Sequence, residues 1–180
     1  STSRGLGDVY KRQIIDLEAI SNLAKKAKLW TMIDNTFASP VNQNPINFGI
    51  DTVIHSATKY LGGHSDITAG VILGSNKCME LVFKSAKNFG GSLSDHTVWL
   101  LERSVKTLFI RVKEQNKNAQ KLAEFLDAEE WVTKVYYPGL ASHLDHALAK
   151  RQMHGFGGML SFNLAIPIAV SYTHLRAHET

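Results

Sequence analysis

A chain of 180 residues with 44% hydrophobic content is long enough to bury a core of one-domain size, and its formal net charge of +4 is weak support for a nucleic-acid or membrane partner. No apolar run reaches the roughly 18 residues of a membrane span, and no charged start leads into an apolar stretch as a secretory leader would, so the expected compartment is the cytoplasm. A single cysteine, Cys78, excludes an internal disulfide and reads as helix packing.

Residues 1–13, "STSRGLGDVYKRQ", and 170–180, "VSYTHLRAHET", show no hydrophobic period and resemble translated sequencing-adapter sequence; they are expected to be foreign to the fold. Without them the formal charge falls to +2. "IIDLEAISNLAKKAK" places apolar residues at 17, 20, 23, 24 and 27, the spacing of a helix, with Asp16 as its N-cap. "LWTMID" is a short run of strand formers that stops at the polar cluster Asp34, Asn35 and Thr36, so a strand is expected to end at Asp34. "DTVIHSA" and "AGVILGS" are nearly continuous apolar runs, as in strands covered on both faces of an α/β sheet with alternating helices. "NKCMELVFKSAKNFGG" reads as a helix begun by Asn76 and closed by Gly90 and Gly91.

From Ser94, a candidate cap, apolar residues recur at 98, 101, 105, 108 and 112, then at 119, 122, 123 and 126, giving one long helix or two that bridge toward a second unit. "WVTKVYYPG" reads as a strand ended by Pro138 and Gly139, "HLDHALAKRQM" as a short helix and "GGMLSFNLAI" as another strand. The pattern has changed from α/β to α+β. A boundary near residue 130 therefore divides 14–130, part of a large domain, from 131–169, the start of a smaller one.

"VIHSATKYLGGHSD" puts Lys59 just after two hydroxyls, Ser56 and Thr58, where a strand gives way to a loop. A lysine on a loop is most often a solvated charge. An amine becomes a useful nucleophile toward an aldehyde when desolvation or a neighbouring cation lowers its pKa, and the mouth of a buried sheet is such a place. Hydroxyls and backbone N–H groups are what a phosphate ester needs. An imine-forming lysine beside a phosphate cup points to pyridoxal phosphate (PLP). That cofactor also needs a partner for its protonated pyridine nitrogen. Asp34, at the carboxyl end of an earlier strand, is the candidate, and its bland reading is a turn residue or N-cap.

The stretch "IDNTFASPVNQNPINFGIDTVIHSATKYLGGHSD" closely resembles the PLP-dependent enzymes of cysteine and methionine metabolism: the cystathionine synthases and lyases and methionine γ-lyase. The resemblance continues through "ERSVKTLFIRV", "NAQKLAEFL" and "VYYPGLASHLDHALAKRQMHGFGGMLSF", covering essentially residues 14–166. It implies an aspartate aminotransferase-like fold of type I: a large domain with a mixed seven-stranded sheet, here partial, then a smaller C-terminal domain, in a homotetramer built as a dimer of dimers. It implies that Lys59 carries the cofactor as a Schiff base and moves protons on an amino-acid substrate, that Asp34 faces the pyridine nitrogen, and that Ser56 and Thr58 bind the phosphate. The family's phosphate-binding Gly-Met pair, its ring-stacking tyrosine and the Tyr and Arg reaching in from a partner subunit fall upstream of residue 14. Its carboxylate-binding arginine falls downstream of residue 169. "GGSLSDHTVWL" replaces the commoner "SPFDAWL" type of segment, which leaves substrate preference around Asp95 and His96 open.

Other constellations carry less. His143 and His146 with Asp145 and His154 nearby suggest a metal site, but no fourth ligand has zinc spacing and no metal is expected. His64, Ser65 and Asp66 are consecutive, and a loop supporting Lys59 is a better reading than a hydrolytic triad. "GFGG" at 155–158 has neither Rossmann spacing nor a following helix and reads as a turn with close packing. Arg103, Lys106, Arg111, Lys113, Lys117 and Lys121 read as a solvated face of the long helix, with a subunit contact as the alternative, while Trp99, Leu100 and Leu101 read as core or interface. The expected activity is elimination or replacement at the γ- or β-carbon of sulfur amino acids or activated homoserine, with lyase or γ-synthase favoured over O-acylhomoserine sulfhydrylase. The rival expectation is an inactive fragment that keeps the fold as a binding or assembly module.

Overall fold

The computed structural model describes residues 12–165, so nearly all of the two terminal segments lies outside the described residues. Helix α1, Leu17–Ala27, begins where Asp16 accepts a hydrogen bond from the Ala19 amide, and it ends at Lys28 in the left-handed conformation. Strand β1, Met32–Asp34, stops at Asp34 but is shorter than the apolar run from Leu29. A short helix, α2 (Ser39–Asn42), and a 3-10 turn, Pro45–Phe48, lead to β2, Thr52–Ser56. Strand β3 is Gly70–Gly74.

The first sheet is mixed, as the family resemblance implied. β1 pairs parallel with β2, Asp34 lying opposite Ile54, whereas β2 pairs antiparallel with β3, Ser56 lying opposite Gly70. No helix intervenes between β2 and β3, because a crossover is required only for parallel neighbours. β3 is also not covered on both faces: Ile72 and Leu73 are each 41% exposed.

Helix α3, Asn76–Phe89, starts at Asn76 as expected, but its cap is Ser75, whose hydroxyl accepts from the Cys78 amide; Gly90 closes it at φ 74°. Cys78 is buried, with its sulfur 3.5 Å from the Thr52 hydroxyl. The long helical pattern resolves into two helices, α4 (Asp95–Val105), capped by Ser94, and α5 (Leu108–Asp127), broken at Lys106 and Thr107. β4 (Val132–Tyr136), α6 (His146–Gln152) and β5 (Ser161–Leu164) follow, with β4 and β5 forming an antiparallel pair. α6 is shorter than its sequence pattern, because Leu144 and Asp145 lie in the preceding turn.

Two cores share one helix. Leu108 and Val112 of α5 pack with Ala57, Leu61, Ile67 and Ala69 beside the first sheet. Ala119, Ala123 and Leu126 of the same helix pack with Val135, Tyr137 and Leu140 beside the second. One stripe of α5 is thus buried first beside the first sheet and then beside the second. Buried amides join the units as well: Gln152 of α6 donates to Gln43 Oε1 at 2.9 Å and to the Ile15 carbonyl at 3.0 Å, and accepts from the Leu17 amide at 2.9 Å. Gln43 in turn donates to Asn35 Oδ1 at 2.9 Å.

Tyr137 has no exposed surface, and its hydroxyl lies 3.0 Å from the Gly157 carbonyl and 3.4 Å from that of Asn116. Burial, with smaller contributions from the charges of Tyr60 and Glu124, pushes its pKa up to about 12. Tyr137→Phe is expected to cost about 1 kcal/mol at neutral pH, the usual net worth of one hydrogen bond. The unfolded phenol ionises near 10 and the folded one near 12, so stability is lost as pH rises through that window. Urea unfolding at pH 8 and at pH 11 should show that loss in the parent and a smaller one in the variant. His55 on β2 is 2% exposed with an unpartnered Nδ1; burial lowers its pKa below 6.5, opposed by the Asp34 charge. Here the unfolded state takes up the proton first, so stability falls as pH drops below 6.5. His55→Leu is expected to shrink the difference between urea midpoints at pH 7.5 and pH 5.5; an unchanged difference would assign the acid sensitivity elsewhere.

Candidate functional site

The carboxyl ends of β1 and β2 meet at one rim. Asn35 N–H donates to the Ile54 carbonyl at 2.8 Å, extending the parallel ladder one step past Asp34. Thr36 then ties both ends together: its amide donates to Asp34 Oδ1 at 2.9 Å and its hydroxyl accepts from the Ser56 amide at 2.7 Å. Asp34 is exposed and lines a cavity of about 170 Å³ together with Phe37, Gln43, Gln152 and Phe156. Thr36 was read from sequence only as part of a turn cluster, yet it holds the Asp34 carboxylate and the Ser56 backbone at once.

Beyond Ser56 the chain makes a tight turn. Lys59 N–H donates to the Ser56 carbonyl at 3.1 Å, Gly62 N–H to that of Ala57 at 2.7 Å, and Gly63 N–H to that of Lys59 at 2.7 Å. A Cβ on Gly62 would lie 2.8 Å from the Ala57 carbonyl oxygen, so only glycine fits there. Thr58 is held by Ala69: its amide donates to the Ala69 carbonyl at 3.2 Å, and its hydroxyl accepts from the Ala69 amide at 3.0 Å and donates to the Ala69 carbonyl at 3.4 Å. Lys59 is exposed and opens on a second cavity of about 750 Å³ with Thr58, Tyr60, Asp66 and Thr68. Asp34 and Lys59 therefore front different cavities, and Phe37 and Met159 stand in the walls of both.

The donor set suits a phosphate-bearing aldehyde with a basic ring nitrogen. A primary amine on Lys59 and the hydroxyls of Ser56 and Thr58 lie within four residues of chain, and a carboxylate, Asp34, ends the neighbouring strand. The residues present fit PLP.

Residues around the turn complete the picture. The Tyr60 phenol is half-buried and burial raises its pKa, offset in part by the Gly158 amide, which donates to it, and by the Arg12 charge. The "GFGG" loop is a turn in which Gly157 has φ 86°, as the sequence implied. His64 Nδ1 lies 2.6 Å from the Gly62 carbonyl and 3.3 Å from the Ser104 hydroxyl, and Asp66 faces Arg103 at 3.9 Å, so these loop residues brace the turn and form no triad. Arg111 departs from the solvated face assigned to it, donating to the carbonyls of Tyr60 and Leu61 at 2.8 and 3.3 Å. His146 Nδ1 is 2.8 Å from the Pro138 carbonyl and His143 Nδ1 accepts from the Asp145 amide; among the described residues no His, Cys, Asp or Glu cluster is arranged to hold a metal ion. Asp95 and His96 are exposed at the start of α4, where the His96 ring stacks on Trp99.

The chain is 46% identical over 159 residues to a cystathionine beta-lyase of Lactococcus lactis subsp. cremoris, a match covering 88% of this chain and 42% of that protein. It is 47% identical over 150 residues to the chloroplastic cystathionine gamma-synthase 1 of Arabidopsis thaliana, covering 83% of this chain and 27% of the relative. Among solved structures, cystathionine gamma synthase from Xanthomonas oryzae pv. oryzae, in complex with aminoacrylate and cysteine, superposes with a TM-score of 0.87 at 40% identity over 89% of this chain and 42% of that one. Cystathionine gamma-lyase from Lactobacillus plantarum, complexed with L-serine, superposes with a TM-score of 0.80 at 43% identity, covering 84% of this chain and 40% of that one. The chain thus spans about two fifths of the length of the Lactococcus, Xanthomonas and Lactobacillus relatives. The family profile matching residues 10–176 is that of the Cys/Met metabolism PLP-dependent enzymes, and the chain belongs to that family.

Proposed function

We propose that this chain is part of a PLP-dependent trans-sulfuration enzyme that eliminates or replaces the substituent on the γ- or β-carbon of a sulfur amino acid or activated homoserine. The carrying observation is Lys59 in a turn fixed directly to the end of β2, flanked by Ser56 and Thr58, with Asp34 ending the parallel neighbour. Lys59 would hold the cofactor covalently and move the proton at the substrate α-carbon. Ser56 and Thr58 would bind its phosphate, Thr58 by turning its hydroxyl proton from the Ala69 carbonyl, and Asp34 would keep its ring nitrogen protonated. When bound, the cofactor supplies an electron sink for negative charge on that α-carbon. Thr36 keeps the Asp34 carboxylate oriented without consuming both its oxygens.

For the whole protein the further proposal, carried over from the family resemblance, is a homotetramer built as a dimer of dimers in the cytoplasm. Among the described residues no helix is long and apolar enough to cross a membrane. A narrower reading applies to the 180-residue chain by itself, and its bare apolar surface favours it: Phe83 is 72% exposed and Phe89 89%. This chain alone is proposed to hold the cofactor without turning over substrate.

The test is reductive trapping. The Lys59 amine and the cofactor aldehyde condense with loss of water, and borohydride reduction fixes the product as a secondary amine. Peptide mapping is expected to find the pyridoxyl group chiefly on Lys59, with competition by inorganic phosphate and loss of selectivity in Asp34→Ala. Ser56→Ala should weaken cofactor affinity about tenfold, the value of one hydrogen bond to a charged oxygen. Label spread evenly over the surface lysines would sink the assignment.

A further inference from the structure

We propose that Arg111 is a positioning residue for Lys59, acting as a clamp on the backbone that carries it. This rests on the reading of Lys59 as the cofactor-bearing residue. Arg111 lies in the first turn of α5, and its side chain reaches back to a segment about fifty positions earlier. Nη1 donates to the Tyr60 carbonyl at 2.8 Å, and Nη2 donates to the carbonyls of Leu61 at 3.3 Å and Ser104 at 2.9 Å. Nε donates to the Thr107 hydroxyl at 3.0 Å. Every described partner is neutral, and no carboxylate among the described residues forms an ion pair with it. Burial lowers its pKa, so the charge is held at a desolvation cost without a counter-ion. A solvated lysine-rich face would not require that.

The turn needs such a group. Ala57 and Lys59 have their carbonyls met by the amides of Gly62 and Gly63, but the chain then turns away at Gly63, with φ 74°, before any amide returns to Tyr60 or Leu61. A guanidinium with donors in a fixed fork can serve both carbonyls at once, whereas an ammonium on a flexible stem is a point charge. Gly63 complements it: a Cβ there would run into Nη1 and lie 2.7 Å from Cζ. On the far side, the buried Ser104 offers its carbonyl to Arg111 and its hydroxyl to His64 Nδ1, which also meets the Gly62 carbonyl. The break between α4 and α5 is thereby tied to the two residues that follow Lys59, while the lysine side chain stays exposed toward its cavity.

Two variants of the 180-residue chain test the clamp. Arg111→Lys keeps the charge and loses the fork; Gly63→Ala keeps the arginine and displaces it. In each, amide hydrogen exchange across 57–63 is expected to accelerate about tenfold, the value of one charge-assisted hydrogen bond, while exchange in α1 and in the β4–β5 pair stays at the parent rate. After PLP and borohydride, the share of label on Lys59 relative to surface lysines should fall by about the same tenfold factor. A general loss of fold would instead accelerate exchange everywhere. Unchanged exchange across 57–63, exchange raised equally throughout, or unchanged Lys59 selectivity with the turn loosened overturns the clamp. If the parent chain shows no Lys59-selective label, the reading of Lys59 falls, and the positioning role falls with it, even where the exchange pattern confirms the hydrogen bonds.

Discussion

The short parallel pairing of β1 with β2 is the constraint from which the site is built. Only Met32, Ile33 and Asp34 take part on one side, yet their register against Thr52, Val53 and Ile54 sets where the carboxylate of Asp34 stands relative to the hydroxyl of Ser56. A slip of one residue would exchange the faces and turn Asp34 away from the rim. So short a ladder is held by more than its own hydrogen bonds. Thr36 reaches across to the Ser56 amide, and the Asp51 carboxylate accepts from both the amide and the hydroxyl of Thr31 at the opposite end, at 2.9 and 2.7 Å. Those two bonds, the side-chain one first, hold the Asp51 carboxyl below its ordinary pKa. Both ends of the pairing are thus fastened by side chains, and the middle has no freedom to shift.

From that fixed rim the rest of the structure is hung by polar contacts as much as by apolar ones. The Lys59 turn is fastened to β3 through Thr58 and Ala69 and to the α4–α5 junction through Arg111. Asn35, next to Asp34, takes part in a buried chain of amides through Gln43 to Gln152. Each of these amides is satisfied, which is the condition under which buried polar groups specify one arrangement and do not weaken the core. Asn42 and Asn116 exchange two further hydrogen bonds, at 3.0 and 2.7 Å, between α2 and α5. Directional bonds therefore tie α6 and α5 to the segment that follows Asp34, alongside the apolar packing along α5.

Local chemistry was legible in the sequence where a residue's partner is close along the chain. Asp16 and Ser94 cap helices because their side chains bond amides three residues on, and Gly90 ends α3 because it tolerates positive φ. Lys59, Ser56 and Thr58 stood out for the same reason, being neighbours in one short stretch. Long-range partners left no such trace. Alternation and apolar runs carry no mark of strand direction, so neither the antiparallel pairing of β3 with β2 nor the absence of a crossover helix can be read from them. Arg111 shares its helical period with exposed lysines, and its partners are backbone carbonyls, which no pattern of side chains reveals. The break at Lys106 and Thr107 has no glycine or proline to announce it; Ser104, Thr107 and Arg111 close it by hydrogen bonding among themselves and with the turn.

The pattern of similarity bears on what these residues supply to a reaction. Identity is 46% to a cystathionine beta-lyase, 47% to a cystathionine gamma-synthase and 45% to the cystathionine gamma-lyase of Bacillus subtilis. Three relatives with different printed activities are thus matched almost equally by the same segment. Residues that chose between cleavage at one carbon and replacement at another would break that equality if they made up much of this stretch. What the segment holds is an amine on a tight turn, two hydroxyls beside it and a carboxylate at the neighbouring strand end, the groups proposed above to hold the cofactor. Those groups must be rigid whichever bond is broken. The side-chain bonds of Thr36 at the rim and the Arg111 fork behind the turn would meet that demand in the proposed site, since they fix the backbone on either side of Asp34 and Lys59.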